Sequence, residues 1–179
     1  KKDMSDNKVM LSIGSVSNLT RRQLESLVEV HRCHVEPVDA RALIYPNQRE
    51  QEISNVVKNL KNNIENHRII GIITTSEEEA ILDLKSIAES LNISEDDVTQ
   101  RIAFGLAEIT QNIIDETGEM IQGLYTSGGD VTVAVCKQLK AKGIEVRDEV
   151  LPLAVYGTII GGEYDNLGLV TKGGLIGND

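Results

Sequence analysis

Two glycine-rich turns contain the residues of this chain that are best suited to bind an anion. The turns are Gly128-Gly129-Asp130-Val131 and Lys172-Gly173-Gly174. Each follows a short apolar run that is typical of a buried strand, at residues 121–125 and 167–171, and the first turn leads into a helical pattern at residues 131–140. A strand, paired glycines and a helix start present bare backbone N–H groups with a partial positive charge behind them, which suits phosphate. The turns therefore predict a site for a nucleotide or a sugar phosphate.

Asp130 and Lys172 add side-chain chemistry to these turns. An aspartate at a helix start often serves only as a cap, but it could also bind a ribose hydroxyl, hold Mg²⁺ through water or accept a proton. A lysine that enters a glycine-rich turn can reach a phosphate as a mobile point charge. It can equally be a surface lysine before a loose tail, and the residues alone leave both alternatives open.

Two further turns carry hydroxyl groups at the ends of predicted strands. Ser15 and Ser17 follow a buried-strand pattern at residues 9–13, and Thr74-Thr75-Ser76 closes the Ile-rich run at residues 69–74. Open α/β sheets bind ligands at the carboxyl ends of their strands, so both turns are candidates for the same site. Ordinary turn chemistry, with Ser76 as a helix N-cap, is the alternative.

The elements that must position these turns alternate along the chain. Besides the strands already given, an apolar run at residues 33–38 predicts a strand, with Pro37 typical of an edge. Helical patterns occupy residues 20–30, 47–66, 77–91, 94–116 and 131–140, and residues 144–179 are strand-rich. Thr20 with Gln23, and Ser94 with Asp97, have the spacing of capping boxes. The alternation predicts an α/β fold, a three-layer, mostly parallel sheet with helices on both faces, in a single domain.

Composition excludes several classes of function. Eighteen basic against 28 acidic residues give a net charge of −10, which argues against nucleic acid as a partner. No apolar run approaches the roughly 20 residues that span a bilayer, so no membrane association is predicted. Two cysteines and no signal-peptide pattern favour the cytoplasm. The sequence contains neither G-x-x-x-x-G-K-[ST] nor G-x-G-x-x-G, and His31 with His34 is a weak metal pair, so no protein metal site is predicted.

The domain boundaries follow from the first strand. Residues 9–179 are predicted to form one nucleotide-binding domain. The charged residues 1–8 are expected to be a flexible start, and the initial Lys1 indicates a piece of a longer chain.

The order of these motifs resembles the carboxy-terminal, nucleotide-binding domain of the four-carbon acid sugar kinases. This bacterial family phosphorylates tetronate-type acids such as threonate, erythronate and 3-oxo-tetronate with ATP. Its members look like Gly-Ser-x-Ser followed by Thr-x-x-Gln, then Gly-Gly-(Asp/Glu)-Thr, then Lys-x-Gly-x-x-Gly. The resemblance covers the chain from Val9 to Gly177. It departs at Val131, where the family often has Thr, with Thr132 one place later. It also lacks the Pro-Gly-Val-Pro pattern within residues 151–162.

The resemblance implies a site and a division of labour. Ser15 or Ser17 would lie against the nucleotide, Gly128, Gly129 and Asp130 would wrap its phosphates or ribose, and Gly174 would complete the site. ATP with Mg²⁺ would be the cofactor, and an amino-terminal domain of the same protein would hold the small acid sugar. This chain would therefore be half of a two-domain kinase. Its catalytic base is undetermined, with Asp130 a candidate by analogy to the Gly-Ala-Gly-Asp turn of ribokinase-like enzymes.

Two other functions remain open at this point. A regulatory module could sense a nucleotide or a sugar phosphate without catalysis. An interaction domain could use the glycines only for tight turns, and it would then bind no nucleotide and tolerate Gly129→Ala. A homo-oligomer is compatible with each of these functions.

Overall fold

The computed structural model of the chain describes residues 7–14, 18–75 and 82–173. Four of the predicted site residues, Ser15, Ser17, Ser76 and Gly174, lie outside these ranges. The side chains of residues 18–21, 30 and 75 are also outside the description. Gly128, Gly129, Asp130, Val131, Lys172 and Gly173 are all described.

Seven strands and six helices form within the described ranges. The strands are β1 (Lys8–Ile13), β2 (Cys33–Asp39), β3 (Ile69–Thr75), β4 (Ile121–Ser127), β5 (Gly143–Leu151), β6 (Ala154–Ile160) and β7 (Gly168–Lys172). The helices are α1 (Asn18–Val30), α2 (Ala40–Ile44), α3 (Pro46–Asn63), α4 (Leu84–Leu91), α5 (Glu95–Thr117) and α6 (Gly129–Gln138). Short 3₁₀ turns follow α3 and α5 at Ile64–Asn66 and Gly118–Met120. None of the described helices is long and apolar enough to cross a membrane.

The strands form one sheet in the order β2-β3-β1-β4-β7-β6-β5. The first five are parallel to one another, whereas β6 is antiparallel to both β7 and β5. The predicted α/β class with a mostly parallel sheet is thus confirmed. The antiparallel arm arises because only two residues, Pro152 and Leu153, connect β5 to β6, which is too few for the crossover that a parallel pair needs.

Helices pack on both faces of the sheet, which confirms three layers. The main core lies between one face and the helices α3, α5 and α6, and includes Met10, Ile70, Ile72, Leu124 and Leu169 from the strands. On the opposite face, Leu24 and Leu27 of α1 pack on a smaller cluster that includes Leu11, Ile13 and Cys33. Alternate residues of the central strands therefore face different helices, since successive side chains of a strand point to opposite sides.

Three helix N-termini bear on the predicted caps. Helix α1 begins at Asn18, so the prediction of Thr20 as its N-cap is wrong. Helix α4 begins at Leu84, where the Asp83 carboxylate accepts a hydrogen bond from the backbone N–H of Ser86, at 3.0 Å, and caps the helix. The predicted helix start at residue 77, with Ser76 as its N-cap, lies outside the described residues. The capping box of Ser94 and Asp97 is confirmed at the start of α5.

Candidate nucleotide site

The carboxyl ends of four parallel strands are joined at one edge of the sheet. The Gly14 amide, just beyond β1, donates to the carbonyl oxygen of Ser127 in β4 at 3.1 Å. The Gly128 amide in turn donates to the carbonyl oxygen of Lys172 in β7 at 3.0 Å. The Thr74 hydroxyl of β3 donates to the Gly14 carbonyl oxygen at 3.4 Å. The structure therefore brings the two predicted turns together, at the edge where open α/β sheets bind ligands.

Gly128 and Gly129 serve different purposes in the first turn. Gly128 is the N-cap of α6 and has a φ of 103°, a conformation that favours glycine. A β-carbon added at Gly129 would meet no other atom within 4 Å, so this residue faces open space. The first hydrogen bond of the helix runs from the Thr132 amide to the Gly128 carbonyl oxygen at 3.0 Å. The amides of residues 129–131 therefore donate no hydrogen bond within the helix. An anion can approach those amides over Gly129.

Asp130 lies in the first turn of α6 and is exposed to solvent. It is not the helix cap, because Gly128 occupies the N-cap position and no side chain caps this helix. Its carboxylate makes no hydrogen bond or ion pair with any other residue that the structure describes. A carboxylate at this place stabilises the helix dipole and remains available to a metal ion or a hydroxyl group.

Val131 and Thr132 hold the turn in place. Val131 is only 4% exposed, and a β-carbon on Gly14 would lie 2.2 Å from its Cγ2 atom, so its side chain packs into the core. Only its backbone amide is left to face a ligand. The Thr132 hydroxyl donates to the Gly128 carbonyl oxygen at 3.0 Å and lies 2.8 Å from the Thr126 hydroxyl. This threonine therefore stabilises the turn from within the protein.

Lys172 is the last residue of β7, and its side chain is 7% exposed. Its ammonium group donates to the Oε1 atom of Gln23, in α1, at 2.8 Å. Burial lowers the pKa of this ammonium group. The lysine is thus neither a mobile charge in a turn nor a surface residue, and Gly173 is the first residue after the strand.

Sequence reasoning missed two residues beside Lys172. Gln23 was assigned to a capping box with Thr20, but its side chain accepts the hydrogen bond from the lysine. Ser127 lies opposite Lys172 in the register of β4 and β7 and is completely buried. Its position before two glycines at a strand end was the available signal, but a serine there is also a common turn residue.

The histidines make no metal centre in the described ranges. His34 Nε2 lies 2.5 Å from Glu36 Oε1, and the rings of His34 and His67 are 5.2 Å apart between centroids. No group of three or more His, Cys, Asp or Glu side chains that could hold a metal ion occurs among the described residues.

Comparison with known sequences places the whole chain in one family. The sequence pattern of the nucleotide-binding C-terminal domain matches residues 10–179. A D-erythronate kinase of Heliobacterium modesticaldum is 44% identical over 171 residues, which are 96% of this chain and 39% of that protein. A D-threonate kinase of Salmonella typhimurium is 32% identical over 173 residues, 96% of this chain and 40% of the relative. The chain thus spans about two fifths of the curated relatives it matches.

Solved structures share the fold at lower identity. A domain of unknown function from Bordetella bronchiseptica, described with bound citrate as a domain-swapped dimer, superposes with a TM-score of 0.72 at 20% identity. A Haemophilus influenzae protein gives a TM-score of 0.69 at 19% identity. Each match covers 96% of this chain and 38% of the other. These likenesses show the fold alone.

Proposed function

The chain belongs to the nucleotide-binding C-terminal domain family of the four-carbon acid sugar kinases, and from this premise we propose that it holds ATP for the phosphorylation of a tetronate-type acid. D-Erythronate and D-threonate are the first substrates to consider, because the two curated relatives are named for them. The observation that carries the proposal is the turn at Gly128 and Gly129, where open space over a helix start meets the joined ends of four strands.

The proposed partners follow from this assignment. The amides at the start of α6 would hold the phosphates of ATP or ADP. An amino-terminal domain of the same protein, in the cytoplasm, would hold the small acid sugar. Mg²⁺ fits the turn because it usually binds one or two carboxylates together with substrate phosphates, and Asp130 offers an exposed carboxylate beside those amides. When bound, the ion would offset the charge of the phosphates.

The reaction is a phosphoryl transfer to an alcohol. A hydroxyl oxygen of the sugar acid forms a bond to the γ-phosphorus, the bond from that phosphorus to the β–γ bridging oxygen breaks, and ADP leaves with the electron pair. The hydroxyl proton passes to a base, for which Asp130 is our candidate because its carboxylate is exposed at the nucleotide turn. The protein's main contribution is to position the reactants and exclude water.

Gly129→Ala is the variant that tests the site. A methyl group at Gly129 touches nothing in the protein, so the folded chain should accept it while the approach of a phosphate is blocked. We expect calorimetric titration to show Mg-ATP affinity reduced by about tenfold or more, which corresponds to about 1.4 kcal/mol. Gly143→Ala is the matched control, because its new methyl would make only ordinary contact with Ile160, at 3.7 Å, in the antiparallel arm. Gly128→Ala is unsuitable, since its φ of 103° would strain any other residue.

The results separate the candidate functions. Equal Mg-ATP affinity in the unsubstituted chain and in Gly129→Ala would remove the turn from the site. No binding of ATP or ADP by the unsubstituted chain would overturn nucleotide binding by this chain. For the full-length protein, an ADP-release assay with D-erythronate and D-threonate tests catalysis, and nucleotide binding without turnover of any four-carbon acid would favour a regulatory module.

A further inference from the structure

A small buried polar cluster lies beneath the nucleotide turn, on the α1 side of the sheet. In β4, Leu124 belongs to the main core and Thr126 contacts α6, so these two residues face one side of the sheet. Since alternate residues of a strand face opposite sides, Tyr125 and Ser127 face the α1 side. Lys172 is opposite Ser127 in the register, and its ammonium group also points to the α1 side. The two polar side chains are therefore neighbours on one face of the sheet.

The hydroxyl group of Ser127 has no hydrogen-bond partner in the described part of the chain. The residue is 0% exposed, and its Oγ atom makes no hydrogen bond with any residue that the structure describes. Burial raises the pKa of the Tyr125 hydroxyl and the neighbouring Ser127 hydroxyl lowers it, but the two hydroxyl groups do not reach hydrogen-bond geometry. Burial of an unpaired hydroxyl destabilises a folded protein, so such a group is usually completed by a water molecule or a ligand.

Within the ranges that the structure describes, Lys172 has no opposite charge paired with it. Its ammonium group is bonded to the neutral amide oxygen of Gln23, and it forms no ion pair with a carboxylate among the described residues. Leu24, Leu27 and Ile13 line the same groove and add no polar group. A buried cation with only an amide for a partner is unfavourable, and an anion would relieve it.

We propose that Ser127 and Lys172, with Gln23 holding the lysine, form a subsite for a phosphate group of the nucleotide. The inference rests on the proposed function and extends it to residues on the α1 side of the turn. Since the Gly128 amide donates to the Lys172 carbonyl oxygen, the subsite is attached directly to the nucleotide turn. The hydroxyl donates one hydrogen bond, and the ammonium group keeps two protons for phosphate oxygens while Gln23 accepts the third. The subsite recognises the charge of the phosphate chain and makes no contact with the base.

Ser127→Ala gives the most direct test, because stability and binding should change in different directions. Removing an unpaired buried hydroxyl should leave the melting temperature of the unliganded chain unchanged or higher. Affinity for Mg-ATP and Mg-ADP should fall about tenfold in calorimetric titrations. Ser12→Ala is the matched control: Ser12 is 1% exposed and its hydroxyl is also unpaired, but it lies on the face of β1 that Met10 turns to the main core. This control should keep full nucleotide affinity.

Gln23→Glu tests the charge of the subsite. The new carboxylate would stand where Oε1 now lies, 2.8 Å from the lysine nitrogen, and would neutralise the lysine by an ion pair. Mg-ATP affinity should fall by about tenfold and should depend less on salt concentration than in the unsubstituted chain. Gln23→Glu with unchanged affinity and unchanged salt dependence would contradict a role for Lys172 in binding the phosphate.

Inorganic tripolyphosphate separates this inference from the proposed function. Binding of ATP by the unsubstituted chain, with equal affinity in Ser127→Ala, would overturn the subsite and leave the nucleotide function intact. Binding of tripolyphosphate but not of ATP, with loss in Ser127→Ala, would retain the subsite and overturn the nucleotide assignment. Failure of the unsubstituted chain to bind either probe would overturn both.

Discussion

Single residues set how closely α6 approaches the sheet. A β-carbon on Gly14 would lie 2.2 Å from Cγ2 of Val131. The start of α6 can therefore lie this close to the end of β1 only because residue 14 is glycine. The burial of residue 131, which is only 4% exposed, suits a valine where the resemblance leads one to expect threonine. The position after Asp130 is a core position in this chain, and the hydroxyl of Thr132 stabilises the turn instead.

Gly14→Ala should therefore destabilise the protein through a clash that a second substitution relieves. Overpacking of this kind typically costs about 1–3 kcal/mol. Val131→Ala alone also destabilises, since it removes buried methyl groups. In the double variant the loss should be smaller than the sum of the two single losses, because the shortened side chain leaves room for the new methyl group. Urea unfolding of the four proteins measures this coupling, and strictly additive losses would show that the contact does not set the position of the helix.

At the scale of elements, apolar runs identified five of the seven strands. The runs at residues 9–13 and 69–74 are continuous because both faces of β1 and β3 are covered, and Pro37 correctly indicated an edge, since β2 is the first strand of the sheet. The antiparallel direction of β6 was not predicted, because alternation of strands and helices gives no information about a hairpin added at the end. The short helix α2 was missed, since five residues are too few for a periodic pattern.

The candidate site shows the same division between local and distant information. Glycine turns are local signals, and they located Gly128 and Gly129 correctly at a strand end and a helix start. The hydrogen bond of Lys172 joins it to Gln23, which is 149 positions earlier in the chain. The local spacing of residues cannot predict a pair so far apart in sequence. The unpaired hydroxyl of Ser127 likewise follows from the register of two strands, which a single sequence does not give.

The start of α5 illustrates a predicted element with a pH-dependent contribution. The Ser94 hydroxyl accepts from the Asp97 amide at 3.0 Å, and the Asp97 carboxylate accepts from the Ser94 amide at 3.1 Å. Hydrogen bonds from Ser94 lower the pKa of the Asp97 carboxyl below its usual value of 3.8. Since the pKa is lower in the folded than in the unfolded chain, this contribution to stability is complete above that value and is lost as the pH falls through the folded-state pKa.

Ser94→Ala should destabilise the protein by about 1 kcal/mol at neutral pH, as expected for loss of an N-cap. The difference from the unsubstituted chain should shrink as the pH falls below 3.8, where Asp97 becomes protonated. Ser90→Ala in α4 is the control, because the Ser90 hydroxyl donates only to the carbonyl oxygen of Ile87 and is not linked to a carboxylate. Urea unfolding from pH 7 to the lowest pH at which the chain folds gives both differences, and a pH-independent effect of Ser94→Ala would contradict the capping box as the cause.

At the scale of the whole molecule, the two faces of the sheet are covered unequally in the described part of the chain. Helices α3, α5 and α6 bury one face, whereas α1 leaves a groove of about 600 Å³ on the other. The groove has α1 as one wall, β1, β4 and β7 as its floor, and the end of the β5–β6 hairpin as its other wall. Leu24, Leu27, Tyr125, Val170 and Leu151 are among the apolar residues that line it.

An apolar groove of this size should bind an uncharged hydrophobic dye in the native state. We expect Nile red fluorescence to rise with the folded chain and to fall in Leu151→Gln, since Leu151 is 51% exposed on the groove wall. Val133→Gln is the matched control, because Val133 is 53% exposed but lies on α6, outside the groove lining. Both variants should retain the stability of the unsubstituted chain within about 0.5 kcal/mol, as surface substitutions usually do. If Leu151→Gln and Val133→Gln bind the dye equally well, the dye does not occupy the groove, and the uncovered face of the sheet is not an accessible apolar surface in solution.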